Sequence, residues 1–267
     1  MGSKITHWAL RLWTLGVMFF LLAPLVVIIV YAFNESNIQS FPIHGFSLKW
    51  VVAAWHNEEI FAALGLSLKI ALLATVISVL LGTTAAFVVD RYRFFGRETV
   101  SFIVVLPIAL PGVITGIALG SYFEFFDISL SYWTIVIGHV TFCIVIVYNN
   151  VIARMRRLPG SLREASMDLG AGPFRTFYRI TLPLMSTALL SGALLAFALS
   201  FNEVIVTNFT AGAQNTLPLW IFGALRLGQN LPVVNVVVSA VVIVMLALLL
   251  LCYWLMTQAG TKQKEHP

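Results

Sequence analysis

Long uncharged stretches divide the chain into six segments that are apolar on every face. A membrane-spanning helix needs about 20 mostly apolar residues, because the hydrocarbon core is about 30 Å thick and a helix rises about 1.5 Å per residue. Segments of this kind lie between these pairs of charged residues: Arg11 and Glu35, Lys69 and Asp90 (with an apolar start near Phe61), Glu98 and Glu124, Asp127 and Arg154, Arg179 and Glu203, and within about 233–257 after Arg226. The pattern predicts an all-α integral membrane protein with six transmembrane helices.

The connections between these segments are unequal in length. Two outer loops are long, at about 34–60 and 208–232. In the second, a short apolar stretch includes Pro218, and proline suits the first turn of a helix, so we expect a short interfacial or re-entrant helix there. A 30-residue inner loop, about 154–183, predicts two short helices, 164–169 and 174–180, joined by a turn. The whole chain, 1–267, is expected to form a single transmembrane domain.

Composition supports a membrane location and excludes several classes of protein. Of the 267 residues, 60% are hydrophobic and only 10% are charged, and the mean hydropathy is +0.94. Soluble domains carry about 25% charged residues. These values exclude a soluble enzyme, a disordered chain and a nucleic-acid-binding domain. Cys143 and Cys252 both lie in apolar runs, so neither a disulfide framework nor a CxxC metal site is predicted.

The distribution of lysine and arginine predicts the orientation. One side of the predicted topology holds 13 of the 16 basic residues, namely Lys4, Arg11, Arg91, Arg93, Arg97, Arg154, Arg156, Arg157, Arg163, Arg175, Arg179, Lys262 and Lys264. Only Lys49, Lys69 and Arg226 fall on the other side. Cytoplasmic loops carry an excess of Lys and Arg, so both termini are expected in the cytoplasm.

The arginine-rich inner loop allows two interpretations. Its amphipathic helices could form a hairpin on the membrane surface, with the arginines meeting anionic lipid. The spacing of its residues also fits the pattern EAA-x3-G-x9-I-x-LP, and it resembles the EAA loop of bacterial ABC-importer permeases. One position departs from that pattern, because serine replaces the second alanine. The pattern falls on Glu164, Ala165, Ser166, Gly170, Ile180, Leu182 and Pro183, with Ser166 as the departure.

The resemblance extends over nearly the whole chain. It is similar to the spermidine/putrescine permease family in the runs Tyr31-Ala32-Phe33-Asn34, Ser67-Leu68, Leu106-Pro107, Gly138-His139-x-Thr141-Phe142-Cys143, Ala196-Phe197-x-Leu199-Ser200 and Thr216-Leu217-Pro218. The resemblance implies a type I ABC importer permease (MetI-like) fold in the bacterial inner membrane. It also implies that the inner loop is a coupling helix. There Glu164 either meets a basic residue of an ATPase or acts as a helix N-terminal charge, and Gly170 permits a turn or a close backbone approach.

The partners and cofactors expected for this chain follow from the same resemblance. They are a second homologous permease, two copies of a cytoplasmic ATPase, a periplasmic substrate-binding protein and membrane lipid. ATP and Mg are expected on the ATPase subunits, and no cofactor is expected on this chain. The sequence agrees, because it contains no GxxxxGK[ST] motif.

Several residues are candidates for a substrate pathway. Glu203 ends the fifth predicted span among apolar neighbours, and a carboxylate there suits a cationic polyamine. The resemblance adds Asn202. A wetted interfacial charge and a salt bridge to the second permease are the alternatives for Glu203. Glu124 and Asp127 are weaker candidates that would attract cations. Tyr122 belongs to an aromatic cluster that is either a cation cage or the usual membrane-interface belt.

Two further features concern the membrane interior. Pro107 and Pro111, with Gly112 and Gly116, predict a kinked third span that lines the pathway. His139 in span four is expected to make structural hydrogen bonds and not to bind metal, because no second ligand follows at i+3 or i+4.

The function predicted from these features is transport without catalysis. We expect a permease subunit that forms, with a second permease, a pathway for a polyamine such as putrescine or spermidine. Import of another small amine or amino-acid derivative by the same class of transporter is the alternative. A stand-alone secondary transporter would show more spans and inverted repeats. A membrane enzyme would need a cluster of reactive side chains that the spans lack.

Overall fold

The computed structural model describes the backbone of residues 2–43 and 45–262 and the side chains of 6–43, 45–247 and 250. Its helices are α1 (Gly2–Ala32), α2 (Lys49–Trp55), α3 (Glu58–Arg91), α4 (Arg97–Ala109), α5 (Gly112–Phe125), α6 (Tyr132–Met155), α7 (Gly160–Asp168), α8 (Pro173–Thr176), α9 (Leu182–Phe201), α10 (Ile205–Thr210), α11 (Leu217–Leu227) and α12 (Leu231–Lys262), with a π-helical segment at Phe177–Thr181. The predicted all-α membrane class is confirmed.

The six predicted segments lie in α1, α3, the pair α4–α5, α6, α9 and α12. In the described part of the chain, four helical stretches are long and apolar enough to cross a membrane: Thr6–Ala32, Glu58–Arg91, Tyr132–Met155 and Pro173–Phe201. The pair α4–α5 makes a fifth if it is one span. The sixth segment lies within α12, whose side chains are described only as far as 247 and at 250. The predicted short helix at Pro218 is confirmed as α11.

The third predicted span is broken, and the prediction of one kinked helix is wrong. Helices α4 and α5 meet at an angle of 105°. Leu110 is extended, with φ −87° and ψ 140°, because the ring of Pro111 disfavours helical backbone in the residue before it. Pro107 lies inside α4 and does not end it.

The inner loop forms the two predicted helical turns with different boundaries. Helix α7 begins at Gly160, four residues before the predicted start. The second predicted helix does not stop at 180, because α8, the π-helical segment and α9 form one continuous stretch, Pro173–Phe201. Pro183 cannot donate a backbone hydrogen bond, and the wider π-helical turn directly before it accommodates the ring without ending the helix.

Backbone contacts divide the chain into two compact units. One comprises the residues up to Glu58 with those from Gly223 onward, and the other is Glu59–Phe222. In the first unit, α12 contacts α1 and α2, and the indole N–H of Trp50 donates to the Asn34 carbonyl at 2.9 Å. Helix α2 lies within the predicted outer loop 34–60. The single domain expected over 1–267 stays a prediction.

The second unit is built around α6. This helix contacts α9 most extensively and also contacts α4, α5 and α10. Its buried side chains include Val145, Val147 and Val151, which are fully buried. Val147 and Val151 form an apolar cluster with Ala86 of α3 and Met185 of α9. The positions of α9 and α10 against this core determine where the candidate site residues lie.

Candidate functional site

A tight turn connects α7 to α8 and fixes the shape of the inner hairpin, defined here as residues 160–181. The backbone N–H groups of Gly170 and Ala171 donate to the carbonyls of Met167 and Ser166, at 2.8 and 3.0 Å. This pair of bonds is the Schellman arrangement that ends helices with a left-handed residue. Gly170 has φ +79°, so the predicted turn is confirmed. Among the described residues, and apart from the chain neighbours of Gly170, no atom lies within 4 Å of a Cβ built there, so within this chain the turn and not a close approach requires glycine.

The serine that departs from the EAA pattern has a partner. The side chains of Ser166 on α7 and Thr176 on α8 are both buried, and their hydroxyl oxygens lie 3.0 Å apart. This hydrogen bond joins the two arms of the hairpin directly behind the turn. The hairpin is therefore held by side chains as well as by its backbone.

The tip of the hairpin exposes large apolar side chains. Leu169 is 89% exposed and Phe174 is 80% exposed, with Tyr178 also exposed. Glu164 and Ala165 are exposed on α7 beside them. Large apolar side chains exposed at the surface are typical of a site that contacts another protein or a membrane.

The remaining residues of the EAA pattern lie away from the tip. Ile180 is half-buried in the π-helical segment, and Leu182 is half-buried at the start of α9. Pro183 is exposed in the first turn of α9. The structure therefore divides the pattern into an exposed tip and a partly buried base.

Glu203 lies in the break between α9 and α10. The side chain is half-buried, and its Oε1 accepts a hydrogen bond from the N–H of Val206 at 2.9 Å, which caps the first turn of α10. Neighbouring Asn202 ends α9, is exposed, and donates from its amide to the Ala198 carbonyl at 3.1 Å. In the described part of the structure, Oε1 of Glu203 thus has a local hydrogen-bond partner and Oε2 has none.

A directional chain of hydrogen bonds joins this break to α6. The hydroxyl of Thr207 donates to the Glu203 carbonyl at 2.8 Å, so its oxygen can only accept from Nε2–H of His139, 2.9 Å away. The neutral imidazole then accepts at Nδ1 from the Ser200 hydroxyl at 2.7 Å. His139 is 1% exposed. Its predicted hydrogen-bonding role is confirmed, and these partners assign its tautomer.

Helix α10 itself was not foreseen from the sequence, which ended span five at Glu203. It packs against both α5 and α6. A Cβ at Gly116 of α5 would lie 2.6 Å from the ring of Phe209, so glycine is what lets the two helices approach. The Thr134 hydroxyl of α6 lies 2.7 Å from the Thr210 carbonyl at the end of α10.

The acidic residues after span three lie at the end of α5. Tyr122 and Glu124 are exposed on its last turns, and exposed Asp127 follows with φ +52°. Glu124 and Phe209 both line a cavity of about 470 Å³, so this carboxylate and α10 share one cavity. The Tyr122 ring contacts the Phe126 ring at a centroid distance of 4.8 Å.

The titratable side chains do not cluster in the manner of a metal centre. Among the side chains that the structure describes, no three from His, Cys, Asp and Glu are placed to hold a metal ion. Cys143 is buried and its thiol donates to the Ala196 carbonyl at 3.3 Å. Cys252 lies outside the residues whose side chains are described, as does Lys264, which the orientation prediction used.

Apolar spanning helices, a broken third span and a hairpin between the fourth and fifth spans define a membrane permease. Residues 78–263 match the family described as the binding-protein-dependent transport system inner membrane component, and the chain belongs to this family. It is therefore an inner-membrane transport component of a bacterium and not an enzyme.

Comparisons with individual proteins agree with this assignment. The chain is 36% identical over 230 residues to the putrescine transport system permease protein PotI of Escherichia coli, covering 83% of this chain and 81% of that one. It is 30% identical to the spermidine/putrescine transport system permease protein PotC of Haemophilus influenzae, covering 92% and 94%. A bacterial ABC transporter involved in the import of alginate has the same fold, with a TM-score of 0.71 at 15% identity over 94% of this chain and 96% of that one.

Proposed function

We propose that this permease forms, with a second homologous permease, the pathway by which an ABC importer takes up a polyamine such as putrescine or spermidine. Two copies of a partner ATPase supply the energy, and a periplasmic binding protein delivers the substrate. The observation that carries the proposal is the 36% identity to a putrescine permease over 83% of the chain. Both termini lie in the cytoplasm in this proposal, as the basic residues predict.

The inner hairpin is the proposed contact with the ATPase. Its exposed apolar tip, with Leu169 and Phe174, offers the kind of side chains that anchor protein interfaces. The Ser166–Thr176 hydrogen bond joins the two arms of the hairpin, which supports its use as a coupling element. Exposed Glu164 is available to a basic residue of the partner.

Glu203 is the proposed charge of the substrate pathway, with Asn202 beside it. The free carboxylate oxygen would compensate one ammonium group of a polyamine where water is partly excluded. Cations are first attracted, in this proposal, by three residues that are exposed at or just after the end of α5: Glu124, Asp127 and Tyr122. The predicted outer segments 34–60 and 208–232 are the proposed contacts for the binding protein.

Import of another small amine or amino-acid derivative is the second candidate, since a single carboxylate would serve any ammonium group. The test measures uptake by right-side-out membrane vesicles, with inside-out vesicles as the control. The vesicles contain this chain expressed together with the permease, the ATPase and the binding protein whose genes lie nearest its own. We expect ATP-dependent accumulation of putrescine or spermidine that requires the binding protein. Accumulation of a different amine only would contradict the polyamine substrate. Ion-driven uptake by the chain alone would contradict the importer class.

A further inference from the structure

A cavity of about 310 Å³ lies at the arginine-rich end of the second unit, behind the inner hairpin. Its walls come from the last turn of α3, the end of α6, the start of α7 and the beginning of α9. The residues that line it are Phe87, Asp90, Arg91, Met155, Arg156, Leu158, Pro159, Gly160, Leu162, Arg163, Ile180, Thr181 and Leu184. Five of them, Gly160, Leu162, Arg163, Ile180 and Thr181, belong to the inner hairpin, whose exposed tip residues Leu169 and Phe174 do not line the cavity.

The charges in the cavity favour an anion. Three arginines, Arg91, Arg156 and Arg163, line it with the single acidic residue Asp90. The excess of positive side chains favours an anionic ligand, because guanidinium groups form charge-assisted hydrogen bonds with phosphate oxygens.

The N-terminal end of α7 also favours an anion in the cavity. Helix α7 begins at the cavity, and Gly160, Leu162 and Arg163 of its first turn line the wall. Its N-cap residue is Pro159, which makes no side-chain capping bond, and the first turn carries no acidic residue. The positive end of the helix dipole therefore lies at the cavity, although the Leu162 N–H already donates to the Pro159 carbonyl at 3.4 Å.

We propose that this cavity binds the phosphate group of an anionic membrane lipid. The cavity lies at the ends of α3 and α6, which are long and apolar enough to span a membrane, and its wall is apolar at Phe87, Leu158 and Leu184 beside the arginines. An apolar wall of this kind suits the glycerol and upper acyl carbons of a lipid. The Asp90 carboxylate repels a second negative charge, which favours a singly charged phosphodiester over free inorganic phosphate. The proposal rests on the membrane fold and not on the polyamine substrate.

The test measures the lipid that the intact transporter retains when it is purified with the subunits that accompany it. The transporter is exposed to detergent micelles that contain phosphatidylcholine, with or without phosphatidylglycerol. Native mass spectrometry counts the bound lipid. We expect the wild type to retain phosphatidylglycerol in preference to phosphatidylcholine, and the variant Arg156→Gln/Arg163→Gln to retain about tenfold less, because two charge-assisted contacts are lost. Arg93→Gln is the matched control, since Arg93 is an exposed arginine of the same predicted side that does not line the cavity.

Each other outcome overturns the proposal. Equal retention by the wild type and the double variant would show that the cavity is not the site. If Arg93→Gln lost as much bound lipid as the double variant, the retention would depend only on the general positive charge of that side of the protein. Displacement of the lipid by inorganic phosphate would assign the cavity to a soluble anion, and displacement by the ATPase would assign it to a protein partner. If the double variant does not fold, the single variant Arg156→Gln, at an exposed side chain, gives the same comparison.

Discussion

The hydroxyl of Ser166 lies 3.0 Å from the hydroxyl of Thr176, and both side chains are buried between the arms of the inner hairpin. Restoring the alanine of the EAA pattern, Ser166→Ala, leaves the Thr176 hydroxyl without its partner. We expect the change to destabilise the hairpin by about 1–2 kcal/mol. Hydrogen exchange of residues 160–181 measures this local stability.

A double-mutant cycle separates this hydrogen bond from general packing. Thr176→Val alone should cost a similar amount, and Ser166→Ala/Thr176→Val should recover much of the loss, because neither hydroxyl is then buried alone. Additive losses in the double variant would show that the two hydroxyls do not depend on each other.

The left-handed turn predicts a ranking of substitutions at Gly170. Because no neighbour lies within 4 Å of a Cβ there, only the backbone conformation with φ +79° resists a side chain. Gly170→Ala should destabilise the hairpin by about 1 kcal/mol, and Gly170→Asn should cost less, since asparagine tolerates this conformation. Hydrogen exchange and substrate-stimulated ATP hydrolysis by the assembled transporter are the two measurements. A larger loss for asparagine than for alanine would point to a steric contact with a partner.

The close approach of α5 and α10 predicts an overpacking effect. Gly116→Ala forces a Cβ to within 2.6 Å of the Phe209 ring, and we expect a loss of about 1–3 kcal/mol in thermal unfolding experiments. Gly112→Ala is the control on the same helix, because its nearest neighbour, Ile205, lies 3.8 Å away. Gly116→Ala/Phe209→Leu should regain stability. Equal losses at Gly112 and Gly116 would assign the effect to helix propensity or backbone entropy.

The hydrogen-bond chain through His139 predicts that the stability of the protein depends on the hydroxyl of Thr207. Thr207→Val keeps the shape of the side chain but removes the acceptor for Nε2–H, and it should lower stability by about 1–3 kcal/mol. Thr207→Ser keeps the hydroxyl and should cost less. Thr141→Val is the comparison on α6, since the Thr141 hydroxyl bonds only to the carbonyl of Gly138 nearby. A Thr207→Val variant as stable as Thr207→Ser would contradict the hydrogen bond between Thr207 and His139.

Glu203→Gln separates the charge of this residue from its structural role. A glutamine Oε1 can still accept from the N–H of Val206, so the cap of α10 is preserved while the charge is removed. We expect polyamine uptake to fall about tenfold, which corresponds to roughly 1.4 kcal/mol in the barrier. Uptake in vesicles with matched expression is the measurement. Wild-type uptake below and above saturation would leave Glu203 with the capping role alone.

The spans could be predicted from the sequence because charged residues bound each one, as Arg11 and Glu35 bound the first. The same rule missed α10, because it ended span five at Glu203. The Glu203 side chain accepts a hydrogen bond from the Val206 N–H and so caps the helix that follows. The break at Leu110–Pro111 was signalled by proline, but no local pattern encodes an angle of 105°. The partners of His139 are 61 and 68 residues away in the sequence, so only the packed structure brings them together.

The uninterrupted stretch Pro173–Phe201 has a mechanical consequence. At about 1.5 Å per residue its 29 residues form a rod of roughly 43 Å. One end carries the hairpin arm that holds Thr176, and the other end stops directly before Asn202 and Glu203. In the proposed transporter, a movement of the hairpin would therefore reach the break at Glu203 along one helix, with no loop between them.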